Sequence, residues 1–162
     1  AHHFHRRADG VRIRRVRPAD LDGVLRVESR SMPDPWDSVA IAAELQVANS
    51  VGWVAVATGL VLGYAFFRTC RPESELLRLA VEPESRGGGV GRALLDRALS
   101  GLKDEGYTHC FLEVRRANTA ARRLYQRAGF VQTGVRTNYY SQPVEDAVLL
   151  CRDLTGGNGG LP

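Results

Sequence analysis

Three glycines, Gly87, Gly88 and Gly89, stand directly ahead of a segment whose apolar residues recur at helical spacing. Counted from Gly91, the residues Leu94, Leu95, Ala98, Leu99 and Leu102 fall at i+3, i+4, i+7, i+8 and i+11, a single stripe on one helix face. The apolar segment from Glu75 to Val81 reads as a strand ended by Pro83, and Gly106 stops the helix. A strand, a glycine turn and an amphipathic helix in that order demand an α/β chain in which the helix covers a sheet. The turn itself has chemistry. Glycines let the backbone bend tightly and approach a ligand. The first amides of a helix lack internal partners and sit at the positive end of its dipole. Such a turn suits a phosphate or pyrophosphate.

The sequence around it narrows the choice. A Walker loop needs Lys-Ser or Lys-Thr after its last glycine, and none is present. A dinucleotide fold puts its loop after the first strand, whereas this one follows the fourth. The pattern R-x-x-G-x-G is met by Arg86, Gly89 and Gly91. A glycine turn with no ligand remains open on these residues alone.

Elsewhere, Val11–Val16 mostly alternates and reads as a first strand. Pro18 opens a helix with Leu21, Val24 and Leu25 on its apolar face. Pro33 and Pro35 break it, and Asp37 or Ser38 caps a second helix reaching about Ala48. Val51–Ala57 and Leu60–Thr69 form a hairpin about Thr58-Gly59. After the glycine-led helix come a strand over Thr108–Val114, a helix over Asn118–Ala128 capped by Gly129, and strands near Val131–Arg136 and Glu145–Cys151. The order β-α-α-β-β-β-α-β-α-β-β implies a mixed sheet with helices on both faces. One domain over residues 11–154, with disordered tails at 1–10 and 155–162, accounts for all 162 residues.

Composition excludes some classes. No apolar run reaches the ~20 residues that span a bilayer, and no signal-peptide core is visible, so a soluble cytoplasmic protein is expected. Cys70, Cys110 and Cys151 include no C-x-x-C pair and fit neither a disulfide framework nor a zinc site. His2, His3 and His5 cluster in the leading segment, where a tail is favoured over a metal site. Residues 1–17 carry six arginines and one aspartate, +5 against the chain's +4, so the remainder sums to −1. A basic arm for RNA and a solvated segment are the two readings.

In the strand Thr108–Val114, Cys110, Leu112 and Val114 face one way, and Phe111, Glu113 and Arg115 the other. A carboxylate inside so apolar a strand needs a partner or a purpose. Glu113 is therefore either a general base raised by burial or half of an ion pair with an arginine. On the next helix Asn118, Ala121, Arg122 and Tyr125 share a face. Asn118 could cap the helix, and Tyr125 could be core. Ala117, Ala120, Leu124 and Ala128 are expected to pack inward, leaving Tyr125 to point elsewhere.

At this point the pieces LAVEPESRGGGVGRALL, LEVRRANTAARRLYQRAGF and GVRTNYY followed by EDA resemble the GNAT acetyltransferases over about Leu76–Asp153. Within them, the chain is most similar to the RimI-like ribosomal-protein-alanine N-acetyltransferases. Pro35-Trp36 shares that likeness, while Asp37 stands where the group has serine and Thr137 where a basic residue is common. The resemblance implies a GNAT-type mixed, mostly antiparallel sheet and acetyl-CoA as cosubstrate. Its pyrophosphate would lie on Gly87, Gly88, Gly89, Val90, Gly91 and Arg92, its pantetheine arm along Leu79, Ala80 and Val81, and Asn118 would bond it or a water beside it.

The resemblance further implies Glu113 as general base and Tyr125 as general acid in a direct transfer, with a main-chain amide near Val81 for the oxyanion. Trp36, Tyr139 and Tyr140 would line the acceptor groove, although ordinary aromatic packing explains each equally well. The implied acceptor is a protein N-terminus, an alanine of a small-subunit ribosomal protein, with no membrane, metal or direct nucleic-acid contact required. The alternatives are a GNAT enzyme for a small amine, antibiotic or lysine side chain, and a non-catalytic CoA sensor or RNA-binding module.

Overall fold

The computed structural model describes residues 10–156. The expected tails, with His2, His3, His5, Arg6 and Arg7, lie mostly outside the described residues. Seven strands and four helices follow in the expected order: β1 (Arg12–Arg15), α1 (Leu21–Ser31), α2 (Ser38–Gln46), β2 (Ser50–Ala57), β3 (Leu60–Cys70), β4 (Glu73–Val81), α3 (Val90–Asp104), β5 (His109–Arg115), α4 (Thr119–Arg127), β6 (Val131–Ser141) and β7 (Val144–Asp153). The hydrogen-bonded strand order is β1-β2-β3-β4-β5-β7-β6, and the β4–β5 pair is parallel among antiparallel neighbours. The chain divides into two compact units, residues up to 69 with 77–98, and residues 70–76 with those from 99 onward.

In the first unit, the β2–β3 hairpin turns through Thr58 (φ 50°) and Gly59 (φ 76°). Positive φ at both central residues matches the twist of the flanking strands. Pro18 opens a single 3-10 turn, Pro18–Asp20, and the α-helix proper starts at Leu21. Asp37 caps α2 by accepting the Ala40 amide at 2.9 Å. That helix stops at Gln46, two residues short of expectation. Beyond it Asn49 is recruited to strand pairing, its carbonyl taking the Thr69 amide at 2.9 Å. The core joins Val24 and Val27 of α1, Ile41 of α2, Val54, Val61, Tyr64 and Phe66 of the hairpin, and Ala80 of β4.

In the second unit, β5 alternates as expected, with Cys110, Leu112 and Val114 buried and Phe111, Glu113 and Arg115 half-buried. Gly129, at φ 95°, ends α4 in the left-handed conformation that glycine adopts without strain. The expected packing face of α4 is wrong in part. Ala117 and Ala120 are exposed, whereas Tyr125 is buried beside Ala128. A phenol ring removes far more apolar surface from water than a methyl group, so the aromatic residue takes the inward position.

Two carboxylates of the first unit are held by arginine forks. Arg14 reaches Asp20 at 2.8 and 2.9 Å, and Arg68 reaches Glu44 at 2.9 and 2.6 Å. The hydrogen bonds from these guanidinium groups hold both carboxyls below their ordinary range. A carboxyl that titrates lower in the fold adds stability above its unfolded pKa, about 4, and loses it as pH falls through the folded value. Glu44→Gln should therefore cost about 1–3 kcal/mol at pH 7. Urea unfolding across the acid range should show wild type and variant converging below about pH 4.

Candidate active site

In the first unit, Gly87 and Gly89 have φ of 79° and 86°, and both are exposed. A Cβ built on Gly87 would meet nothing within 4 Å. The first hydrogen bond of α3 runs from the Ala93 amide to the Gly89 carbonyl at 3.0 Å, so the amides of Val90, Gly91 and Arg92 precede the helical ladder. Val90 is buried and anchors the helix start, while the Arg92 side chain turns outward to Asp96 at 2.9 Å. Just before the turn, the Ser85 hydroxyl is buried without a hydrogen-bond partner. An open glycine concavity with unladdered amides and an orphan hydroxyl alongside fits the diphosphate of a coenzyme.

The strand leading into this turn is tightly specified. At its end the Val81 carbonyl accepts from Ser31 Oγ at 3.2 Å and Arg86 Nε at 3.3 Å, and the Glu82 amide donates to the Leu62 carbonyl at 2.7 Å. On β3, Gly63 lies so close that a Cβ there would stand 2.9 Å from the Ala80 carbonyl oxygen. Trp36 is half-buried. Its amide donates to Glu28 at 2.9 Å, and the Arg78 guanidinium lies 4.5 Å from its ring centre.

In the second unit, Glu113 retains 23% of its side-chain exposure and pairs with Arg136 at 3.6 Å. Tyr139 also lies against it. Glu113, by taking the phenol's hydrogen bond, pushes Tyr139 above its ordinary range, so that group stays protonated. Of the two readings of this glutamate, the arginine partner is present and deep burial is not. Tyr125 is packed edge-on to Phe130 with ring centres 5.8 Å apart, and burial pushes its phenol up. Near neutral pH it carries its proton, the state a general acid requires.

Tyr140 neighbours both groups electrostatically. It senses the Glu113 carboxylate and is itself sensed by Tyr125, and its ring stands 5.1 Å from that of Tyr139. Asn118 caps α4 by accepting the Ala121 amide at 3.2 Å. Burial pushes the Cys110 thiol up to about 12, which leaves it protonated and a poor nucleophile.

Arg136 and the Glu28–Arg78 pair escaped the sequence reading. Neither partner lies within a few residues of the other, so no local spacing announces them. Among the described residues, no cluster of three or more metal-binding side chains occurs, and no helix is long and apolar enough to cross a membrane.

Along the chain, a glycine turn feeds α3, a strand bearing Glu113 follows, and α4 begins after Asn118 and carries Tyr125. The profile of the Acetyltransferase (GNAT) family matches residues 21–130, and the chain belongs to that family. It is 30% identical over 145 residues to the [ribosomal protein bS18]-alanine N-acetyltransferase of Escherichia coli (strain K12), covering 88% of this chain and 97% of that protein. The crystal structure of the ribosomal-protein-S18-alanine N-acetyltransferase from Escherichia coli superposes with a TM-score of 0.84 at 28% identity, covering 94% and 99% of the two chains. Ard1 from Thermoplasma volcanium gives 0.82 at 29% identity, covering 91% and 99%. A mycothiol acetyltransferase of Salinispora tropica is 35% identical over 147 residues, 81% of this chain but 48% of that protein.

Gly63→Ala forces β4 away at Ala80, which should cost about 1–3 kcal/mol by overpacking. It should also weaken acetyl-CoA binding in calorimetry, whereas Gly59→Ala, whose Cβ meets nothing within 4 Å, should leave binding unchanged.

Proposed function

We propose that the protein is an acetyl-CoA-dependent N-acetyltransferase acting on the N-terminal amine of a protein, an alanine of a small-subunit ribosomal protein, in the cytoplasm. The observation that supports this acceptor most strongly is the match of nearly whole chains to a bS18-alanine N-acetyltransferase.

Acetyl-CoA supplies an activated acetyl thioester. The glycine turn Gly87–Arg92 binds its diphosphate through main-chain amides, the backbone of Leu79–Val81 pairs with the pantetheine arm, and the carboxamide of Asn118 adds a polar contact. Glu113 removes the proton of the attacking amine, directly or through one water. An α-amine has a pKa of about 8, so this base has a single proton to take from a group already partly neutral. Tyr125 gives its proton to the departing sulfur. A main-chain amide near Val81 donates to the carbonyl oxygen as charge develops there. Trp36 in the first unit, and Tyr139 and Tyr140 in the second, are assigned to acceptor recognition.

A second reading, acetylation of a small amine, is favoured by the 35% identity to the mycothiol acetyltransferase. Intact-mass measurement of an Ala-starting peptide, a lysine peptide and an aminoglycoside incubated with acetyl-CoA separates the two. Acetylation at the peptide's α-amine is the expected result, and turnover of the aminoglycoside alone would defeat the N-terminus reading. Glu113→Gln and Tyr125→Phe should each lower kcat by roughly 10²–10⁴ with acetyl-CoA affinity retained. Gly89→Val, by contrast, should weaken acetyl-CoA affinity itself.

A further inference from the structure

The ends of α1 and β4 exchange charges. Glu28 of α1 is fully buried, and its carboxylate takes hydrogen bonds from Arg78 Nε at 3.0 and 2.9 Å, from Arg78 Nη2, from the Tyr64 hydroxyl and from the Trp36 amide at 2.9 Å. Arg78 reaches further, with Nη2 donating to the Asp34 carbonyl at 3.3 Å and its guanidinium stacked over the Trp36 indole. In the opposite sense, Arg26 and Arg30 of α1 both reach the buried Glu82 that follows β4, Arg26 at 2.9 Å. Ser31 donates to the Val81 carbonyl. These bonds therefore fix two things, the Asp34–Trp36 loop and the strand end Arg78–Glu82.

A buried ion pair is a poor way to obtain stability. Desolvating both charges offsets most of their attraction, and apolar residues of similar volume do as well or better. What the pair does provide is position. Pro33 and Pro35 have no N–H to give, so the loop has few main-chain donors with which to anchor itself. Glu28 holds the Trp36 amide, and Arg78 holds both the Asp34 carbonyl and the indole face. Arg78 is also the residue that immediately precedes Leu79.

We propose that Glu28 and Arg78 are positioning residues for the acceptor. They form a buried carboxylate–guanidinium clamp that locks the Asp34–Trp36 loop to the strand carrying Leu79–Val81, so Trp36 meets the incoming amine-bearing substrate as a preformed wall. The clamp rests on the reading of Trp36 as an acceptor wall. It touches no reacting atom and leaves the glycine turn alone, and without it the end of the Leu79–Val81 strand keeps its bonds from Glu82 to Leu62, from Ser31 to Val81 and from Arg26 to Glu82. Its loss is therefore felt in acceptor KM and not in acetyl-CoA affinity.

The test uses the full chain and whichever of the Ala-starting peptide, lysine peptide or aminoglycoside the wild type acetylates. The variants are Glu28→Leu/Arg78→Met, which refills the site with apolar volume, Arg78→Lys, which keeps the charge without the fork, and Trp36→Ala. For the double variant we expect a folded protein with a Tm lowered by the unpaired Tyr64 hydroxyl and Trp36 amide, and unchanged acetyl-CoA affinity in calorimetry. Its acceptor KM should rise at least tenfold, and hydrogen exchange over residues 32–37 should be faster. Arg78→Lys should fall between the two, a partial rescue that loss of packing alone does not produce. If the double variant fails to fold, Arg78→Lys carries the same comparison. A raised KM in Trp36→Ala with a normal KM in the clamp variants overturns the clamp alone. A normal KM in Trp36→Ala overturns the acceptor-wall reading, and the clamp with it.

Discussion

The carboxylate of Glu28 is the contact on which the first unit is organised. It lies at 0% exposure, where an unpaired charge is untenable, so every group around it is constrained to supply a donor. Tyr64 comes from β3, Arg78 from β4 and the Trp36 amide from the loop after α1, so one side chain joins four segments of the chain. The apolar core of Val24, Val27, Ile41 and Phe66 supplies most of the burial energy, but an apolar contact is tolerant of small displacements. A charge bound by a guanidinium fork is not, because its geometry is fixed at both ends.

This accounts for an oddity of composition. Of the 22 basic residues, only Lys103 is a lysine. The buried carboxylates Asp20, Glu28, Glu44 and Glu82 all take arginine partners, at Arg14, Arg78, Arg68 and Arg26. Arginine presents planar paired donors and is less strongly hydrated than an ammonium, which suits it to low-exposure carboxylates. Arg14, which falls in the basic leading segment, is thus structural as well.

What was legible in the sequence was local. The α3 stripe was visible because Leu94, Leu95, Ala98, Leu99 and Leu102 report one face through spacing alone, and all are buried. The alternation of β5 was visible for the same reason, and it placed Cys110 opposite Glu113 correctly. The face of α4 was misjudged because the small residues Ala117 and Ala120 were read as its packing stripe ahead of Tyr125. Tyr125 then decided the matter by its bulk. The Glu28–Arg78 pair spans 50 positions of sequence, and only tertiary structure brings its members together. The glycine turn could be recognised, but the crowding of Gly63 against Ala80 could not, since it depends on how two strands approach.

The same physics separates the two glutamates that matter most. Glu28 and Glu113 are the same residue in amphipathic elements, yet one is sealed and the other keeps 23% of its side chain open. A sealed carboxylate can only hold structure, whereas a base must be reached by the group it deprotonates. Glu113 gains its neighbours from β6, although β7 lies between that strand and β5. β6 carries a bulge at this point. Arg136 pairs with Ala147 and Tyr140 with Glu145, so Thr137, Asn138 and Tyr139 oppose Asp146 alone. Asn138 takes a positive φ of 53°, and its amide is tied to Asp146 at 2.9 Å, which fixes the extra residues in place. Arg136, which precedes the bulge, and Tyr139, within it, both interact with Glu113. A carboxylate left half-exposed, with the exposed Arg136 and Tyr139 as partners, is open to an arriving group, as the general-base role proposed for Glu113 requires.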